Sequence, residues 1–220
     1  MAVFFPPVTF AETLVRLEAG FRAELPGPAA HARLAPVPRR AWPADVNRAR
    51  IRDAAGLLLV FPKRREERDA AHIILTVRAD GLRHAGQVSL PGGGVDPGET
   101  FEEAALREAH EEVALPRDDV RVIGALTPLD IPVSGFRLHP IVAVSGTRPV
   151  LTPHDGEVAR ILEVSVDELL NPAHFVTTER ERTGFGLTSV PSFRVSGVEI
   201  WGATAMVLAE FLAVLDGPAR

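Results

Sequence analysis

The spacing of apolar residues along the 220-residue chain changes several times, and each change marks an element. Over residues 9–25 apolar positions recur every three or four residues, the period of an amphipathic helix. Thr9 with Glu12 makes a capping box at its start, and Pro26-Gly27-Pro28 closes it. A proline- and arginine-rich connection follows. Residues 54–61 and 71–78 are branched, nearly unbroken apolar runs, as buried strands require, and the charged segment 63–69 between them reads as a solvated loop. Further strands are predicted at 120–126, 139–144, 161–164, 192–195 and 198–201. A short helix is predicted at 166–170 and an apolar core helix at 205–215. This order suits a mixed sheet covered by helices on both faces, an α/β class.

One segment carries more charge than packing requires. After Gly92-Gly93-Gly94 and the turn Asp96-Pro97-Gly98, Thr100 and Glu103 form a second capping box, so a helix should begin near Phe101. Ala105, Leu106, Ala109 and Val113 fall on one arc of it. Glu108, Glu111 and Glu112, spaced i, i+3, i+4, share about 100° of another, with Ala104 on the same side leaving room for a ligand. Like charges stacked this way destabilise a helix, so a partner should neutralise them. A hard divalent cation with oxygen ligands, completed by water and substrate phosphate, fits that need.

Composition narrows the classes. A formal net charge of -5 argues against a general nucleic-acid binder, whose affinity comes from accumulated Lys and Arg. The absence of Cys excludes disulfides, a thiol nucleophile and zinc-thiolate sites. The first seven residues lack the basic and apolar regions of a signal peptide, and 205–215 is too short to span a bilayer and contains Glu210. A cytoplasmic location without membrane contact is expected.

Gly93, Glu99, Arg107, Glu108, Ala109, Glu111 and Glu112 stand at the spacings of the Nudix box, and the chain resembles Nudix hydrolases there; Ala114 replaces the glycine with which the box usually closes. Upstream, Thr76, Arg78, Ala79, Arg83, Gly86, Pro91, Gly92 and Gly93 resemble a second signature, that of the coenzyme A diphosphatase branch. The segment is one residue short between Arg83 and Gly86 and has Leu90 in place of Phe. Ser134-Gly135-Phe136, His139-Pro140 and Trp201-Gly202-Ala203-Thr204 extend the likeness from about Arg52 to Thr204.

The resemblance implies a Nudix-type α/β/α sandwich with a mixed β-sheet, and the length and composition suit a single domain over residues 1–220 in which 1–50 form an N-terminal helix and a Pro/Arg-rich extension packed on it. It implies Mg2+ or Mn2+ held by Glu108, Glu112, Glu111 and a Gly93 carbonyl. Arg107 orients the acids, Glu111 or Glu157 serves catalysis, and Gly92, Arg78 and Arg83 contact substrate. Arg suits forked phosphate contacts, and coenzyme A carries a ribose 3'-phosphate besides its diphosphate. The expected reaction is hydrolysis of coenzyme A or acyl-CoA to 3',5'-ADP and a 4'-phosphopantetheine. The alternatives are another nucleoside diphosphate derivative such as ADP-ribose, or a nucleotide-binding regulator without turnover. The expected partner is the small-molecule substrate, with a homodimer left open.

Overall fold

The apolar run at 54–61 is the centre of a longer strand that pairs along both edges and fixes the sheet. A computed structural model describes residues 8–65, 68–81 and 85–217; Arg83 and His84 lie outside the described residues. In chain order the elements are α1 (Phe10–Gly20), α2 (Gly27–Ala32), β1 (Arg52–Arg65), β2 (Arg68–Arg78), β3 (Val88–Ser89), β4 (Gly92–Gly94), α3 (Phe101–Val113), β5 (Val120–Ala125) and β6 (Leu129–Ile131). They continue with β7 (Phe136–Ser145), β8 (Val158–Ser165), α4 (Val166–Leu170), β9 (Phe175–Arg182), β10 (Gly186–Val195), β11 (Val198–Trp201) and α5 (Gly202–Asp216).

Strand β1 pairs parallel with β7 along Arg52 to Val60, antiparallel with β4 through Ala54 to Gly56, and antiparallel with β2 from Val60 onward. The sheet is therefore mixed, in the order β3-β2-β1-β7-β5, with β8 on β2 and β6 on β7. Alternation along β1 separates two cores. Ala55, Leu57, Leu59 and Phe61 pack with Ala105, Ala109 and Val113 of α3, whereas Leu58 and Val60 join the cluster formed by α1 and α5 on the other face. Both faces are covered, which is why the run reads as continuously apolar. This is the α/β sandwich with a mixed sheet that was expected.

Several local expectations change. The charged segment 63–69 is not a loop: Lys63 pairs with Ala70 and Arg64 with Asp69 as the hairpin continues. Cross-strand charge makes this tolerable, since Glu163 of β8 holds both Lys63, at 2.6 Å, and Arg148, at 2.9 Å. Ala104 is fully buried against the sheet, so it belongs to the packing face of α3 and not to the acidic side. Helix α1 stops at Gly20, where an added Cβ would lie 2.5 Å from Val214. Pro26-Gly27-Pro28 starts α2 instead of only ending α1, as proline is tolerated in a helix's first turn.

A buried carboxylate ties the N-terminal extension to α5. Glu210 is 0% exposed and accepts hydrogen bonds from Gly27 N at 3.0 Å, Thr127 Oγ1 at 2.6 Å and Thr127 N at 3.1 Å, with His31 Nε2 at 2.8 Å. Burial alone would raise its pKa, but the bonds from His31 and Thr127 outweigh this and hold it below the usual carboxylate range.

The acidic helix ends at Ala114, whose backbone is left-handed at φ 54 and ψ 34. Its N–H bonds to the His110 carbonyl at 2.9 Å, and the Leu115 N–H reaches back to Ala109 O, so the turn is a true C-cap. An alanine Cβ is strained there and glycine is not. Ala114→Gly should therefore stabilise the protein by about 1 kcal/mol. A lower melting temperature for that variant in calorimetry would show that the cap gains more from the methyl group than it loses to strain.

Candidate metal and diphosphate site

The three acids of α3 do not share one environment. Glu108 and Glu112 lean toward the glycine strand β4, whereas the Glu111 side chain remains 55% exposed. Glu112 is half-buried and its Oε2 accepts the Gly92 N–H at 3.2 Å. The Glu108 carboxylate fills the space beside Gly93 where any Cβ would stand, so only glycine lets backbone and carboxylate approach this closely. Gly92 is held as tightly, its hydrogen facing Ala55 and Gly56 of β1 across the antiparallel pair.

Arg107 is the hub. Its guanidinium donates to both oxygens of Glu99 at 2.9 and 3.0 Å, to Glu108 at 2.9 Å, to Glu111 at 3.2 Å and to the Gly94 carbonyl at 2.9 Å. These contacts raise its pKa above its already high normal value, chiefly through Glu99. Glu99 is thereby explained. It anchors Arg107 and accepts the Asp96 N–H at 3.1 Å, and the Arg107 bond holds its pKa below the usual range.

Arg78 and Glu157 complete the surroundings of Glu112. Arg78 ends β2, Glu157 lies in the turn immediately before β8, and the charges of both are felt at Glu112. The two segments are joined where Ala79 N donates to Glu157 O at 2.9 Å. Among the described residues the Glu157 carboxylate has no ion-pair or hydrogen-bond partner. Of the predicted site residues, then, Gly92, Gly93, Arg107, Glu108, Glu111, Glu112, Arg78 and Glu157 come together, and Arg83 lies outside the described residues. His139, 2.8 Å from Asp53 and stacked on Phe101 at 3.6 Å, sits beside the start of α3.

The donors are all hard oxygens, which suit Mg2+ or Mn2+. Among the described residues no three His, Asp or Glu side chains form a ready-made metal cage. An open set of this kind leaves positions for water and phosphate, as Mg2+ prefers. The glycine cradle and the half-buried Glu112 fit such an ion. A cavity of about 620 Å³ opens beside Gly92–Gly94, walled by Arg78, Leu129, Phe136, Trp201 and the N-terminal extension through Pro36, Arg39 and Arg40. The extension's part in this wall was not anticipated, although the arginines following Pro38 were its signal.

A profile of the Nudix domain matches residues 50–182, and the chain belongs to this family. It is similar to an uncharacterized Nudix hydrolase NudL of Pectobacterium atrosepticum, 37% identical over 149 residues that cover 66% of this chain and 77% of the relative. A NudL of Yersinia enterocolitica is 40% identical over 138 residues, 62% of this chain and 70% of that one. Among solved structures, the Nudix hydrolase RenU of M. smegmatis aligns at a TM-score of 0.47 with 29% identity, over 55% of this chain and 74% of that chain. The protein is thus a Nudix hydrolase acting on the phosphoric anhydride of a nucleoside diphosphate derivative, and the family generally works with divalent ions such as Mg2+ or Mn2+. Among the described residues no helix is long and apolar enough to cross a membrane.

Burial pushes the Glu112 pKa up to about 7; Glu108 and Glu157 add to the rise, while the Gly92 N–H and Arg78 oppose it. The folded protein therefore binds this proton more tightly than the unfolded chain does. Below the ordinary carboxylate pKa both states are protonated and nothing is lost; stability falls as pH rises to about 7 and is flat beyond. Without metal at pH 8, Glu112→Gln should raise stability by on the order of 2 to 3 kcal/mol, and at pH 4 it should change little. Denaturant titrations at the two pH values measure this, and equal effects at both would refute the assignment of the raised pKa to Glu112.

Proposed function

We propose that the chain hydrolyses the diphosphate bond of coenzyme A or acyl-CoA, releasing 3',5'-ADP and a 4'-phosphopantetheine. The observation that carries this reading is that the upstream signature folds back onto the box. Thr76 pairs with Ser89 across β2 and β3, Gly86 N donates to Arg78 O at 3.0 Å, and Arg78 N donates to Gln87 O at 3.0 Å. This loop returns the chain to Gly92–Gly94 and leaves Arg78 on the cavity wall beside Glu112. The apolar wall from Leu129, Phe136 and Leu138 suits a nucleoside or pantetheine body.

Glu108, Glu112 and the Gly93 carbonyl would hold the divalent ion, with Glu111 at the open rim. When bound, the ion supplies charge neutralisation for the anhydride and a more acidic water. The chain's own groups do the rest. Arg107 keeps Glu108 and Glu111 from repelling each other. Arg78 presents its fork to the diphosphate. Glu157, whose carboxylate has no hydrogen-bond or ion-pair partner among the described residues, accepts the proton of the attacking water, whereas Glu111 is already engaged by Arg107. Water bonds to one phosphorus, its proton goes to Glu157, and the bridging oxygen leaves with the other phosphate.

Hydrolysis should stop in excess chelator, and Glu112→Gln should lower kcat by roughly a hundredfold or more through loss of an anionic ligand. Retention of full turnover under either condition would remove the metal assignment. In a panel of coenzyme A, acyl-CoA, ADP-ribose and dinucleoside polyphosphates, coenzyme A species should have the highest kcat/KM. Arg78→Gln should lower kcat/KM about tenfold to a hundredfold through one charged hydrogen bond. If ADP-ribose is cleaved better than coenzyme A, the coenzyme A reading is wrong and only the diphosphatase chemistry stands.

A further inference from the structure

The cavity that opens beside the acidic site is also lined by two arginines with no role in the chemistry above. Arg40, from the connection after α2, and Arg182, the last residue of β9, both line it. Their guanidiniums lie over the same Phe185 ring, 5.1 and 5.3 Å from its centroid. Arg40 donates to Thr183 O at 2.8 Å and Arg182 to Pro38 O at 3.1 Å, so the extension and the hairpin hold each other's arginine in place. A guanidinium carries five N–H donors, and one backbone carbonyl satisfies one of them.

Neighbouring residues make the contrast. Strand β9 alternates, with Glu179 and Glu181 on its exposed face and Arg180 and Arg182 on its inner one. Arg180 is neutralised by Glu199 at 2.8 Å and lies over Trp201 at 4.9 Å. Two residues further along the same face, Arg182 is half-buried and, among the described residues, paired with no carboxylate, as is Arg40. Burial and then the charge of Arg40 depress its pKa, the mark of a cation lacking a counterion. Half-burying two like charges about one aromatic ring is unfavourable unless an anion completes the group, and forked guanidiniums match phosphate oxygens.

We propose that Arg40 and Arg182 form a subsite for a phosphomonoester on the nucleoside part of the substrate, the group that in coenzyme A is the ribose 3'-phosphate. This rests on the diphosphatase reading, because one cavity is lined both by Gly92–Gly94 and by these two arginines, so a substrate bound at the glycines shares its space with them. Arg78, beside Glu112, then serves the diphosphate, and specificity for the second phosphate belongs to the extension and the hairpin.

Calorimetric binding of adenosine 3',5'-bisphosphate and of adenosine 5'-monophosphate to the whole protein with magnesium tests this without turnover. The bisphosphate should bind about ten- to a hundredfold tighter. The ratio should fall to near one in Arg182→Gln and in Arg40→Gln/Arg182→Gln, and should persist in Arg180→Gln. No preference in the wild type, or a preference removed by Arg78→Gln and kept in Arg182→Gln, overturns the subsite. Should the Gln variants fail to fold, dicarbonyl modification of the wild type decides, with Arg40 and Arg182 protected by the bisphosphate and not by the monophosphate; equal protection overturns the proposal. Failure of the coenzyme A assignment is read separately, from the hydrolysis panel.

Discussion

The arrangement of the acidic site depends on one guanidinium placed among the carboxylates of its helix. Three acids on one helix face repel one another by a few tenths of a kcal/mol per pair, and burying Glu112 increases the cost. Arg107 answers this from within the helix, joining Glu99, Glu108 and Glu111 to the Gly94 carbonyl. The planar fork matters as much as the charge. It fixes the strand of glycines at a set height above the helix, which is what brings Glu108 beside Gly93 and the Gly92 N–H onto Glu112. The field of this one side chain thus links the start of the helix, its middle and the neighbouring strand.

A second polar centre does comparable work on the far side of the sheet. Glu210 is completely buried, yet four donors converge on it from α2 and from the segment after β5. The pattern is one of full satisfaction, in which the carboxylate sets where α2 lies. That placement carries forward to residues 36–40, which reach the cavity wall, and the antiparallel bridge between Val37 and Ser189 joins them to the hairpin. The cavity is therefore bounded by segments that are distant in sequence and brought together by the α5 layer and by the direct contacts between the extension and the hairpin.

Much of this was legible in the sequence. Continuous apolar runs identified β1 and β2, because a strand buried on both faces has no polar side to show. The capping box and the spacing of Glu108, Glu111 and Glu112 placed the helix and its acids correctly. The sequence could not say that Glu108 and Glu112 turn inward while Glu111 stays out, since that depends on how far the helix is rotated over the sheet. Strand β9 was missed because Thr177 to Arg182 are all polar, and its alternation becomes meaningful only once one face meets Glu199 and Phe185. Ala104 was misassigned because it lies within the arc of the acids on the helical wheel, and the inner part of that arc, where Glu108 and Glu112 meet Gly93 and Gly92, is turned toward the sheet.

The acidic helix is fastened at both ends: Thr100 and Glu103 bond reciprocally at its start, and the left-handed Ala114 followed by Pro116 halts it after Val113. Between these stops its rotational phase is locked. A deletion of one residue ahead of Glu108 would turn everything beyond it by about 100°, carrying Glu112 away from Gly92 and bringing Ala109 of the packing face to the place of Glu108. The two caps act as indexing pins for the chemistry. They leave the helix free to change its exposed side chains over evolutionary time but not its length, so length variation in this fold must fall in the loops outside it.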